Sequence, residues 1–204
     1  VIPVTAVRRT KFEILGERLK EAGGALVDVG ARDRILQPYL SGSRLCYLSA
    51  DLGPGHDFNW NLELPIPAPD NAYDFVTALD VLEHVEQFHS AFRELLRITR
   101  CTLFVALPNM THLAHRLEFF VTGRIGAKYA LLPKHQGDRH RWLTHYKDIV
   151  RFMEHQAATA RVSVRQYNWI HGYSPLERLI SYLPVPPGLK AYTVLFEILK
   201  ASHE

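Results

Sequence analysis

The chain has 204 residues, 47% of them hydrophobic and 22% charged, which suffices for a buried core without metal or disulfide staples. No run approaches the ~18 consecutive apolar residues of a membrane span, and Val1 to Arg9 holds no apolar signal core. Two cysteines, Cys46 and Cys101, make no disulfide framework and point to free thiols in a reducing, cytoplasmic setting.

Charge is uneven along the chain. The total is +3, yet residues 115 to 151 hold eight basic and three acidic side chains, so this stretch alone is +5. His112, His115, His135, His140 and His145 lie in or beside it. Such a segment reads either as a solvated basic face or as a surface for an anionic substrate. The first residue is Val, so the natural N-terminus is expected to lie further upstream.

In chain order, Phe12, Leu15, Leu19 and Ala22 predict a helix over residues 11–22, ended by Gly23-Gly24. Ala25 to Gly30 is a short apolar run of the kind buried on both faces of a sheet. Further strands are expected at 45–49, 58–62, 74–79 and 103–107. Between the last two, Phe88, Ala91, Phe92, Leu95 and Leu96 mark one face of a helix. Strand, helix, strand in repetition implies an open, mostly parallel α/β sheet.

Beyond Pro108 the alternation stops, and residues 109–146 carry no clean strand. A helix is expected at 147–155, a strand at 161–169 and a helix at 174–182 capped by Ser174 with Pro175 in its first turn. Residues 192–199 read as a final strand, with helix as an alternative.

Ligands of open parallel sheets bind beyond the carboxyl ends of the strands. Those ends carry Asp28, Asp51, Asn61 and Asp80, more acids and amides than packing explains. The runs Leu26 to Gly30, Asp51-Leu52, and Tyr73 to Val85, followed by Arg93 to Arg97 and Ala106 to Asn109, resemble class I S-adenosylmethionine-dependent methyltransferases. Gly137 to Thr144 is similar to a segment of the methionine-biosynthesis-associated methyltransferase-like proteins within the small-molecule branch. Together these stretches span roughly residues 25–155.

The resemblance implies a doubly wound, mostly parallel seven-stranded sheet in a single domain, with residues 109–155 as a lid or substrate-facing elaboration. It implies methyl transfer from S-adenosylmethionine to a small anionic molecule. Asp28, Gly30, Ala31 and Arg32 would form the turn beside the methionine half of the cofactor. Asp51 and Leu52 would take the ribose, Asn61 and Leu62 the adenine, and Asp80 and Val81 the floor under the sulfonium. His84 and His140 are the candidate catalytic residues, since histidine titrates near neutrality.

One departure stands out. The glycine-rich turn of that family reads here Gly30-Ala31-Arg32-Asp33-Arg34, with arginines at the alternate positions. The alternative function is therefore a methyltransferase-like binding or regulatory module without catalysis. Histidines at five-residue spacing (His84 and His89; His135, His140 and His145) miss the i, i+4 spacing of helical metal pairs, so no metal is expected. No nucleic-acid signature accompanies the aromatic residues of the basic segment.

Overall fold

The β-branched and aliphatic runs between residues 23 and 108 pair into five adjacent strands, out to one edge, of an eight-stranded sheet. The computed structural model describes residues 2–131, 133–134 and 137–200. Its elements are β1 (Val4–Val7), α1 (Lys11–Arg18), β2 (Gly23–Val29), β3 (Arg44–Asp51), β4 (Phe58–Asn59), β5 (Tyr73–Leu79), α2 (Phe88–Ile98) and β6 (Thr99–Pro108). They continue as α3 (Leu113–Thr122), α4 (Gly126–Tyr129), α5 (Tyr146–Ala160), β7 (Ser163–Trp169), α6 (Pro175–Ile180), α7 (Pro187–Lys190) and β8 (Thr193–Leu199). Single 3-10 turns lie at Gln37–Leu40 and Leu82–His84.

The strand order is β1-β7-β8-β6-β5-β2-β3-β4. All neighbours run parallel except β8, which is antiparallel to both β6 and β7. The chain winds outward from β2 through β3 to β4, then returns to place β5 on the other side of β2. The switch in strand order therefore falls between the carboxyl ends of β2 and β5, where Val29 registers with Ala78.

Alternation along each strand feeds two cores. Val27, Val29, Val76, Val105 and Leu107 face α2 and α5, whereas Leu26, Phe104, Ala106 and Leu195 face Ile14 and Leu15 of α1. The buried face of α2 is Phe88, Ala91, Phe92, Leu95 and Ile98, and the neighbouring Leu96 is only partly buried.

Several boundaries differ from the sequence expectation. The sheet has eight strands, because Val4–Val7 adds an edge strand parallel to β7. The first helix stops at Arg18, with Leu19 as its cap, and starts at a Thr10–Glu13 capping box. β4 is only two residues long, since Trp60 and Leu62 turn into the core rather than along the sheet edge. The final segment is a strand, so its helical alternative falls away. The helix after residue 146 runs on to Ala160 and ends at left-handed Arg161.

Cys46 on β3 and Cys101 on β6 are free and exposed, separated by β2 and β5 as the expected strand order requires. Among the described residues, no helix is long and apolar enough to cross a membrane.

Candidate functional site

The turn after β2 is tied down by Gly30 and Ala31, whose amides donate to the Ala50 carbonyl at 2.7 and 3.3 Å. Gly30 lies at φ +72°, and a Cβ there would stand 2.2 Å from Val81 Cγ2. Glycine is thus required twice over, by backbone conformation and by the side chain at the end of β5. Arg32 and Arg34 also take positive φ, at 42° and 53°. The left-handed, alternate-residue path of a glycine-rich turn is kept although two of its residues are arginines.

Asp51 closes β3. Its carboxylate accepts from the Arg32 amide at 2.8 Å and the Leu52 amide at 2.6 Å. The Arg32 guanidinium reaches across the turn to Asp138 at 3.1 Å. Asp28 is buried, and its oxygens accept from Tyr47 Oη at 2.8 Å and Thr77 Oγ1 at 2.6 Å. Burial pushes its carboxyl above the usual range, against the pull of those two hydroxyls.

At the end of β5, Asp80 has φ +56°. Its Oδ2 pairs with buried Lys11 from the start of α1, while Oδ1 is buried without a partner. The 3-10 turn that follows brings Glu83 fully inside, and neither carboxylate oxygen has a hydrogen-bond partner. Burial, reinforced by the Asp80 charge, pushes the Glu83 carboxyl up to about 8.

Residues 137–146 form a strip stitched over this turn. The amides of Arg141 and Trp142 donate to the Glu83 carbonyl at 2.8 and 3.3 Å. Trp142 Nε1 donates to the Val85 carbonyl at 2.8 Å, and Thr144 Oγ1 to that of Pro108 at 2.5 Å. The strip sets His140 edge-on to His84, with ring centroids 4.6 Å apart. The Nε2 atoms of both rings lie 3.8 Å from Glu83 Oε1. His84 Nδ1 lies 3.0 Å from the Arg139 carbonyl, and His140 Nδ1 3.2 Å from Tyr129 Oη. Burial lowers the pKa of both rings, with Lys128 adding for His84; His140 falls to about 4, helped by His84. Both imidazoles are therefore neutral at physiological pH.

Known proteins carry related features. Residues 58–102, which include Asp80, Glu83 and His84, match the methyltransferase domain family. A SAM-dependent methyltransferase from Aquifex aeolicus aligns with TM-score 0.53 and 14% identity, over 92% of this chain and 87% of that one. Another from Archaeoglobus fulgidus aligns with TM-score 0.57 and 12% identity, over 95% and 96%. The small RNA methyltransferase HEN1 aligns with TM-score 0.63 and 15% identity, over 97% of this chain and 27% of its own. No curated protein sequence matches the chain. The chain thus carries a segment of the methyltransferase domain family and shares the fold of SAM-dependent methyltransferases.

Against this methyltransferase frame the expected site residues separate into groups. Gly30, Ala31, Arg32, Asp51, Asp80 and Val81 gather at the β2–β5 switch, and Leu52 stands exposed beside Asp51. Asp28 faces the sheet interior on its two hydroxyl donors. Asn61 is exposed and closes a local turn by accepting from the Glu63 amide, while Leu62 packs into the core. His84 and His140, 56 positions apart in sequence, meet at one point. His89 instead packs near Trp142 and Phe152, and His135 lies outside the described residues.

Sequence reasoning missed Lys11, Glu83, Tyr129 and Asp138. The available signal was Glu83 itself, a lone acid within the apolar run Val81 to Val85. A cavity of about 310 Å³ lies elsewhere, lined by Phe88, Leu107, Trp142, His145 and Phe152; none of Gly30, Asp51 or Asp80 lines it. Its lining is mostly apolar, with His89, Thr144, His145 and Asp148 as its polar side chains.

Proposed function

We propose that the protein transfers a methyl group from S-adenosylmethionine to a small anionic molecule bound beneath residues 137–142. The observation that carries this is the convergence of a glycine-gated turn, the Asp51 carboxylate and a buried Glu-His-His group at one switch in strand order. The residues suit the cofactor: a Cβ on Gly30 would fill the turn, and Asp51 is a carboxylate placed to accept ribose hydroxyls. When bound, the cofactor supplies an activated methyl on a sulfonium.

The chain's own contribution is binding, alignment and exclusion of water. Gly30 and Ala31 let backbone approach the amino-acid half. Asp80, with its free Oδ1, stands ready for an ammonium or hydroxyl donor. His84 and His140 present neutral Nε2 lone pairs on the acceptor side, able to accept a proton or to ligate. Lys128 and Arg32 flank Asp138 beside His84, two cations against one acid, which favours an anionic acceptor. We assign residues 109–155 as the substrate-facing elaboration of a single domain.

Calorimetry with S-adenosylhomocysteine tests this. Wild type is expected to bind, and Asp51→Ala to bind at least ~10-fold more weakly, since charge-assisted hydrogen bonds contribute ~1.5–3 kcal/mol. No binding by wild type at millimolar ligand would replace the enzyme with a non-catalytic methyltransferase-like module. Equal binding by Asp51→Ala would move the ribose elsewhere. An RNA acceptor, as the name of HEN1 states for that protein, is the outcome indicated if RNA competes with small anions for the basic strip.

A further inference from the structure

Glu83, His84 and His140 offer one ligand atom each within 4.8 Å of one another. Glu83 is fully buried with two unpartnered oxygens, an arrangement that costs free energy unless something meets them. The two Nε2 atoms stand 3.8 Å from its Oε1, beyond hydrogen-bond reach, so a proton shared with either ring does not satisfy that oxygen in this geometry.

The outer nitrogens fix what the inner ones can do. The Nδ1–H of His84 donates to the Arg139 carbonyl. Tyr129 Oη donates its proton to the Trp142 carbonyl at 2.5 Å, which leaves its lone pairs to accept the Nδ1–H of His140. Both rings are thereby held as Nδ1–H tautomers, with bare Nε2 lone pairs on the Glu83 side. Outer hydrogen bonds of this type orient metal-ligating histidines. Ligands at ~2.0–2.2 Å from a tetrahedral ion stand ~3.4 Å apart, so each Glu83–histidine pair, at 3.8 Å, needs a contraction of a few tenths of an ångström.

We propose that Glu83, His84 and His140 bind one divalent first-row transition-metal ion, whose open positions take an oxygen of the methyl acceptor. Two imidazoles and one carboxylate suit Mn²⁺, Fe²⁺, Co²⁺ or Zn²⁺ and disfavour Mg²⁺, which prefers oxygen ligands. The acceptor role rests on the methyltransferase function proposed above; the ion site itself does not. An acceptor hydroxyl on the ion loses its proton to solvent more readily. Its oxygen then forms the new C–O bond as the C–S bond breaks, the electron pair returning to sulfur and cancelling the sulfonium charge.

The test begins with full-length protein stripped with EDTA and titrated with Mn²⁺, Co²⁺ and Zn²⁺ by calorimetry, with Co²⁺ absorption as a second readout. One ion per chain is expected. Glu83→Gln and His140→Ala should weaken it at least ~100-fold, and Tyr129→Phe, which touches no ion, about 10-fold. Circular dichroism and S-adenosylhomocysteine binding should be retained in Tyr129→Phe, which separates ligand loss from unfolding. No binding by wild type at millimolar metal, or equal binding by Glu83→Gln, His140→Ala and Tyr129→Phe, overturns the site. Metal binding without S-adenosylhomocysteine binding upholds the site and removes its role in methyl transfer.

Discussion

The two walls of the cleft are finished to different degrees. On the wall proposed for the cofactor, the Asp51 and Asp28 oxygens accept from neighbouring amides and hydroxyls, and the turn between them is anchored on Ala50. On the wall proposed for the acceptor, one oxygen of Asp80 and both of Glu83 are buried without partners. Buried polar atoms that the protein leaves unsatisfied mark a place for something else that binds there. The difference supports the proposed placement of the chemistry near Asp80 to His84.

Perturbing each wall sharpens the contrast. The largest effect is expected for Gly30→Ala, which places an L side chain at positive φ and drives it into Val81. Urea denaturation should show a loss of about 2–5 kcal/mol, from left-handed strain plus overpacking. Adding Val81→Ala should recover the overpacking part; no recovery would mean that the turn is held by something other than this contact.

Lys11→Met comes next. It keeps the buried stem but leaves Asp80 facing Glu83 without its cation, and about 1–3 kcal/mol should be lost. Lys11→Met with Asp80→Asn should be more stable than Lys11→Met alone. If it is not, the acceptor wall is less charge-dependent than its geometry implies.

Arg32→Gly should be small. Relief of about 1–2 kcal/mol of left-handed strain is offset by the freer unfolded chain and by loss of the Arg32–Asp138 bridge. Stability within about 1 kcal/mol of wild type is expected. Cofactor affinity should shift less than about threefold, well below the Asp51→Ala effect.

The smallest effect concerns Asp28 and depends on pH. Because burial raises its folded pKa above the unfolded value, its contribution is fully present at low pH and diminishes as pH rises through the folded pKa. Asp28→Asn, which stays neutral, should therefore gain on wild type between pH 5 and 8, with cofactor binding little changed. Melting temperatures at the two values decide it, and a strong loss of binding would return Asp28 to the cofactor.

Legibility in the sequence followed the range of the interactions. β2, β3, β5 and β6 were readable because both of their faces are apolar, and α2 because one stripe is. α3 was not, since none of its residues is buried and no stripe forms. Asp51 and Asp80 could be read as candidates from their places at strand ends. Glu83 and Tyr129 were not, because their roles arise from a strip more than 50 residues beyond Glu83 folding back over it. The arginine turn departs from a glycine-rich one in residue type, which the sequence shows, but keeps positive φ at Arg32 and Arg34, which it does not.

The antiparallel β8 also imposes an order on the folding of the nascent chain. Among the described residues, β7, and through it β1, reaches the rest of the sheet by pairing with residues 193–199, so β1 waits for β8. The strands that bear Gly30, Asp51 and Asp80 pair among residues 23–108 and need no such delay. During synthesis these strands can pair while three strands are still missing from the sheet, and emergence of residues 193–199 completes it.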